Sequence, residues 1–185
     1  MNAKKLVIGL TGMPGSGKSL IVEASRELGY DVVTMGDVIR EETAKRGMQA
    51  TPSNVGKVML GLRRIGGEGA IAEKCIPKIE EKPSQRIIVD GLRSFLEAEV
   101  FKNHLSHFIL ITVHSSPKIR FKRLSTRGRS DDPKTWEVFH ERDMRELGVG
   151  IGNAIALAEH VIINEGTKED LNARVAEVLR MVERE

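Results

Sequence analysis

Eight residues near the start of the chain, Gly12-Met13-Pro14-Gly15-Ser16-Gly17-Lys18-Ser19, fit the spacing G-x-x-x-x-G-K-[ST]. Glycines at that spacing let the backbone fold into a nest of N–H donors. A helix opening at Lys18 points its positive end at the same spot. Together they hold phosphate. Lys18 is placed to neutralise the terminal phosphates of a nucleotide, and Ser19 to bind the accompanying Mg²⁺. The pattern is short enough to arise by chance. Its setting makes it specific: it lies between a buried-looking strand and the amphipathic stretch "LIVEASREL". These eight residues are therefore expected to bind ATP with Mg²⁺.

The acceptor of the phosphate is written less plainly. In "MGDVIREE", Asp37 is expected to cap the helix that starts there, and Arg40, one turn on, offers a planar fork for phosphate. An ordinary cap and a solvated arginine explain the same residues about equally well. "IVDGLRS" ends an apolar run. There Asp90 is expected to hold a hydrated Mg²⁺ beside the phosphate loop, Gly91 to admit the ligand and Arg93 to supply a second fork. Ser94 and Glu97 read as a capping box. Further on, Arg120, Arg123 and Arg127 share one helix face, an uncompensated run of like charge that an anionic ligand, or water and salt in part, would offset. Arg129, Arg142 and Arg145 follow. An arginine-dense segment over a phosphate loop suits phosphoryl transfer, whose transition state spreads negative charge over equatorial oxygens and whose site must exclude water.

Five β-branched runs must position these groups: 6–10, 31–35, 86–90, 108–113 and 160–164. Between them lie stretches of helical periodicity, which predicts a parallel sheet covered on both faces. Gly29 is expected to end the first helix. Thr51-Pro52, Ser116-Pro117 and Asp132-Pro133 each read as an N-cap followed by proline, and Gly148 as the end of the helix that Asp132 starts. "TKED" at 167–170 resembles a capping box. About fifty residues separate the second and third runs, room for several helices, with Gly66, Gly67 and Gly69 dividing two of them. Such an insertion leaves a cleft at the carboxyl ends of the strands. The whole, residues 1–185, is expected to be one domain, with an acceptor-binding insertion at 36–85 and a lid at 127–148 that holds the single tryptophan, Trp136.

Composition narrows the class. Hydrophobic residues are 40% and charged residues 30% of the 185, a globular balance without a membrane-length apolar run. The N-terminal "MNAKKLVIGL" reads as the approach to a first strand, not as a signal peptide. A single cysteine, Cys75, permits neither an internal disulfide nor a thiolate zinc site, and a cytoplasmic setting is the simplest inference. The net charge of +3 suits a small anionic substrate and does not call for nucleic acid.

In their order, "GMPGSGKS", "MGDVIRE", "VDGLRS" and "RGRSDD" resemble the P-loop kinases that phosphorylate nucleoside monophosphates, the adenylate and UMP/CMP kinases. The resemblance spans most of the chain. It implies a five-stranded parallel sheet of order 2-3-1-4-5, an acceptor-binding helical insertion and an arginine-bearing lid. By motif, Arg40 and Arg93 would hold the acceptor's phosphate, Arg123 would lie by the ATP, and Arg129 with Arg142 would come in from the lid. The longer string "LGVGIGNAIALAEHVIINEG" looks like a poorly characterised archaeal family of small ATP-binding kinases, and "AEHVIINEGTKEDL" is similar to the end of dephospho-CoA kinases. There are departures. No proline follows "DGLR", Glu97 stands where adenylate kinases use glutamine to read the base, Leu20 replaces a usual threonine, and the spacing leaves Arg142 and Arg145 as alternatives.

Three functions remain. A nucleoside monophosphate kinase needs no general base, because its acceptor oxygen is already an anion; Lys18, Mg²⁺ and the arginines would position and neutralise. A dephospho-CoA-kinase-like enzyme would phosphorylate a ribose hydroxyl, with Asp37 taking the proton. A regulatory ATPase acting through a partner is the third; no N-K-x-D-like guanine-reading motif supports a GTPase switch.

Overall fold

A computed structural model describes residues 5–129 and 132–185, the Pro52 side chain excepted, so Ser130 and Asp131 of "RGRSDD" lie outside the described residues. Strands β1 (Leu6–Thr11), β2 (Asp31–Thr34), β3 (Arg86–Leu92), β4 (Phe108–His114) and β5 (His160–Ile163) form one parallel sheet in the order β2-β3-β1-β4-β5. The order and the five strands are as expected. Successive strand side chains point to opposite faces, and each face buries its own cluster. Leu6, Ile8, Leu10, Ile88, Ile109 and Ile111 turn to one side, where α1 (Lys18–Glu27) and α9 (Lys168–Val182) cover them. Val7, Ile87, Val89 and Leu110 turn to the other. That second face is covered by α2 (Met35–Lys45), α3 (Pro52–Gly66), α4 (Ala70–Glu80), α5 (Phe95–His104) and α8 (Ile151–Ala156).

The insertion between β2 and β3 holds α2, α3 and α4, with the last two divided by Gly67 at positive φ. Thr51 caps α3 through the Asn54 N–H, and the boxes at Ser94/Glu97 and Thr167/Asp170 are both formed. Several expected signals fall elsewhere. Met35 belongs to α2, so the N-cap position is Thr34 and Asp37 sits in the first turn, where its carboxylate favours the helix's positive end without capping it. Ser116 stands at the N-cap of α6 (Pro117–Arg127) but makes no side-chain cap. Asp132-Pro133 starts no helix. The next one, α7 (Trp136–Gly148), is capped by Thr135, because Asp132 is already engaged by the Arg127 guanidinium and the Arg129 N–H.

The arginine face of α6 is compensated rather than bare. Arg120 is buried and forms a fork to Asp143 of α7 at 2.8 and 2.5 Å, while Arg127 pairs with Asp132. Arg120 also lies over the Phe139 ring, 4.9 Å from its centroid. Phe121, Trp136 and Phe139 pack with centroids 5.1–5.5 Å apart, so α7 is fastened to α6 by a desolvated ion pair inside an aromatic cluster. Removing one partner of such a pair leaves a buried charge uncompensated. Asp143→Ala is expected to cost about 3–5 kcal/mol in urea unfolding, more than the charge-free double change Arg120→Met/Asp143→Leu. A single variant within about 0.5 kcal/mol of the parent would mean that the pair does not hold α7.

Candidate active site

The phosphate loop runs from the end of β1 into α1. Gly12 and Gly17 have φ of 145° and 100°, conformations in which a side chain is strained. A Cβ at Gly12 would strike the Val113 carbonyl, and one at Gly17 the Asn164 carboxamide. The loop is braced from behind by groups far away in sequence. Asn164, at the end of β5, donates from Nδ2 to the Ser16 carbonyl at 2.8 Å. Arg123 donates to Asn164 Oδ1 at 3.2 Å and to Ser115 Oγ at 2.9 Å, and Ser115 donates to the Asn164 carbonyl. Arg120 reaches the Pro14 carbonyl at 3.1 Å.

Lys18 curls back over this loop, its ammonium donating to the Gly12 carbonyl and, at 3.4 Å, to that of Met13. Burial pushes the ammonium down to about 8, with the Asp90 carboxylate pulling it partly back. Asp90 stands at the β3 end. Burial raises its pKa, Lys18 opposes that, and its buried Oδ1 has no donor among the described residues. Beside it the β1–β3 register slips, so that Thr11 pairs with Leu92 and Gly91 bulges out at φ 106°.

An acceptor oxygen without a donor among the described residues, with Ser19 lining the same cavity, fits a hard divalent cation. Among the described residues no cluster of three or more Asp, Glu, His or Cys could hold a metal by itself. Mg²⁺ suits such a place, since it takes one or two protein oxygens and completes its shell with phosphate and water.

One cavity of about 680 Å³ joins these groups to the arginines. Its lining includes Gly12, Pro14, Gly15, Gly17, Lys18 and Ser19 of the loop, then Asp90, Arg40 and Arg93, and finally Arg123, Arg127, Arg129 and Arg142. Met13 and Ser16 complete the loop without lining the cavity, and Ser16 Oγ is buried without a partner among the described residues. Between the two alternatives left by spacing, Arg142 lines the cavity and Arg145 does not. Asp37 does not line it either. Its carboxylate is more than half exposed and accepts from the Arg40 guanidinium. Arg93 is likewise held, its Nη1 donating to both oxygens of Glu146 on α7 at 3.0 and 3.1 Å.

Four participants escaped the sequence reading. Asn164 had only its place at a strand end to mark it, and Asp143 and Glu146 lay among other charges. Arg63 of α3, whose Nη2 donates to Glu97 at 2.9 Å, reads in isolation as one of two adjacent basic residues. Cys75 is buried and its thiol is pushed up to about 12, so it stays a packed, inert group.

The state of Lys18 is open to titration. Its proton leaves the folded protein near pH 8 but stays on the unfolded chain to its ordinary 10.5, so this group's contribution to stability rises with pH across that window. A bound polyphosphate favours the ammonium and reverses the shift. ATP binding at about pH 9 is therefore expected to take up close to one proton. Calorimetry in two buffers of different ionisation enthalpy measures it. Uptake that persists in Lys18→Met would exclude Lys18 as the group.

A family model described as "AAA domain" matches residues 11–140. The UPF0200 protein of Methanocaldococcus jannaschii is 48% identical over 179 residues, which covers 96% of this chain and 90% of the relative. That of Thermococcus onnurineus is 44% identical, covering 96% and 98%. Among solved structures, TT1252 from Thermus thermophilus superposes with a TM-score of 0.67 at 17% identity, covering 97% of this chain and 98% of its own. A shikimate kinase from Bacteroides thetaiotaomicron gives 0.65 at 18%, covering 95% and 98%. These two likenesses show the fold, which is that of P-loop kinases. The chain belongs to the AAA domain family over residues 11–140 and to the UPF0200 proteins over nearly its whole length.

Proposed function

We propose that this protein transfers the γ-phosphate of ATP to a nucleoside monophosphate. The observation that carries the reading is the single cavity with a phosphate loop in one part of its wall and two acceptor-side arginines, Arg40 and Arg93, in another. Two anionic ligands can share that space, and Arg123, Arg129 and Arg142 also line it. The loop, with Lys18, holds the β- and γ-phosphates of ATP. Ser19 and Asp90 hold Mg²⁺, which when bound supplies positive charge against the phosphate oxygens. Arg40 and Arg93 orient the acceptor's phosphate for in-line attack. Arg129 and Arg142 reach in from 127–148, acting as a lid, to neutralise charge as it develops on the transferred group. The acceptor's phosphate oxygen attacks, ADP leaves, and no side chain has to remove a proton.

A second reading, transfer to a ribose hydroxyl as in dephospho-CoA kinases, draws on Asp37 in the first turn of α2. Its carboxylate is near enough to Asp90 to raise that residue's pKa, although it is paired with Arg40. A hydroxyl acceptor needs such a base; an anionic one does not.

The purified protein with ATP and Mg²⁺ is to be incubated separately with AMP, CMP, UMP, GMP and dephospho-CoA, and both products followed by chromatography. Turnover of a monophosphate is expected, with losses of about 10²-fold or more in kcat/KM for Lys18→Ala and Arg93→Ala, and only a mild loss for Asp37→Asn. Turnover of dephospho-CoA alone, collapsing in Asp37→Asn, would replace this reading with the second. ADP release without any acceptor consumed would overturn both.

A further inference from the structure

We infer that Arg63 selects the acceptor's base, and that it selects a base edge carrying two adjacent hydrogen-bond acceptors. The inference rests on the acceptor being a nucleotide. Val55, Met59 and Arg63 recur at spacings of four on α3, so they form one stripe, and all three line the cavity. Ile39, Ile71 and Leu92 line it as well. A flat heterocycle fits against such apolar side chains, with the Arg63 guanidinium at the end of the stripe.

Glu97 explains why this arginine is held so firmly. The carboxylate is 1% exposed. Its Oε2 accepts from the Arg93 and Ser94 N–H groups at 2.8 and 3.3 Å, and its Oε1 accepts from Arg63. The capping box at Ser94 needs only an acceptor oxygen, which a glutamine would supply equally. The negative charge favours the positive end of α5 and pairs with the Arg63 guanidinium. Only the Nη2 group of Arg63 is bonded to Glu97, and Nε is buried with no partner among the described residues. Arg63 itself lines the cavity, so guanidinium donors other than the buried Nε and the one held by Glu97 can face a ligand there.

The chemistry of the pair decides the base. Both oxygens of Glu97 are already occupied, so the pair presents donors. A planar guanidinium fork matches two neighbouring acceptors, such as guanine O6 and N7 or cytosine O2 and N3. The polar edges of adenine set an amino donor beside an acceptor, and uracil interposes its N3–H between two carbonyls. Each of these leaves an N–H facing an N–H.

The test measures kcat/KM for CMP, GMP, AMP and UMP with ATP, and, separately, equilibrium binding of each monophosphate by calorimetry. CMP or GMP is expected to exceed AMP and UMP by at least about tenfold. Which of the two leads tells whether the slot takes a pyrimidine or a purine. Arg63→Lys keeps a cation for Glu97 and loses the fork, so the preference should shrink to about threefold or less, by loss on the favoured base. The double variant Arg63→Met/Glu97→Gln, which leaves no buried charge, should show the same collapse. Preference for AMP or UMP, or an equal loss on all four bases, would reduce Arg63 to a brace for Glu97 and overturn the inference. So would turnover of dephospho-CoA alone, whose base is adenine. Base-selective binding that depends on Arg63, without phosphoryl transfer, would support Arg63 while overturning the kinase reading. Binding of none of the four would overturn both.

Discussion

Arg120 is the point at which the site's separate pieces are joined. Its guanidinium has three kinds of partner: the Pro14 carbonyl in the phosphate loop, the Ser115 carbonyl after β4, and both oxygens of Asp143 on α7. A buried cation with so many partners cannot move without leaving several polar groups unpaired at once. The loop, the end of β4 that supports it and the helix that carries Arg142 therefore keep a common frame. Asn164 and Arg123 repeat the logic from the other side, fixing the Ser16 carbonyl through β5. A nest of backbone donors is useful only if it stays in shape while empty. The bracing does that work before any phosphate arrives, so less ordering remains to be done on binding.

What was legible in the sequence follows the range of the interaction. The phosphate loop was readable because glycine spacing, a strand before it and a helix after it are local signals. The five strands were readable because both faces of a parallel sheet are buried and the runs are nearly continuous. Caps were readable where the competition was local, as at Thr51, Ser94 and Thr167. They failed where a distant or neighbouring charge took the capping group, as when Arg127 engaged Asp132 and left α7 to Thr135. The charge on α6 looked uncompensated for the same reason, since Asp143 lies 23 residues from Arg120 and nothing in the spacing ties the two. Asn164, Glu146 and Arg63 belong to this class: their partners are distant in sequence, and only the fold brings them together.

The electrostatics of the cleft show one pattern throughout. Lys18 is turned onto its own loop's carbonyls, Arg40 is held by Asp37, and Arg93 by Glu146. Each cation thus has an oxygen partner before an anion arrives. The Lys18 contacts are with neutral carbonyls, which do little to offset its burial, and its lowered pKa is the record of that. The two arginine pairs are at the rim, with Arg40 and Arg93 about half exposed, where such pairs are worth little and exchange partners at little cost.

That difference bears on how a phosphate-binding cleft of this design would close. A phosphate monoester carries more charge than a carboxylate and offers more acceptor oxygens to a guanidinium. If the acceptor's phosphate binds at Arg93 as proposed, it would displace Glu146 at little cost. Glu146 lies on α7, the helix that also presents Arg142. Releasing Glu146 from Arg93 would remove one tie between α7 and the β3 end while leaving the Arg120–Asp143 anchor untouched. The helix would then keep its attachment to α6, through the ion pair and the aromatic cluster, and lose one at the β3 end. On the proposed function, the event that brings the acceptor's phosphate in would also loosen the element that carries Arg142. Arrival of the acceptor and assembly of the charge-neutralising shell would then be one step, and ATP bound alone, unable to displace Glu146, would leave that shell incomplete.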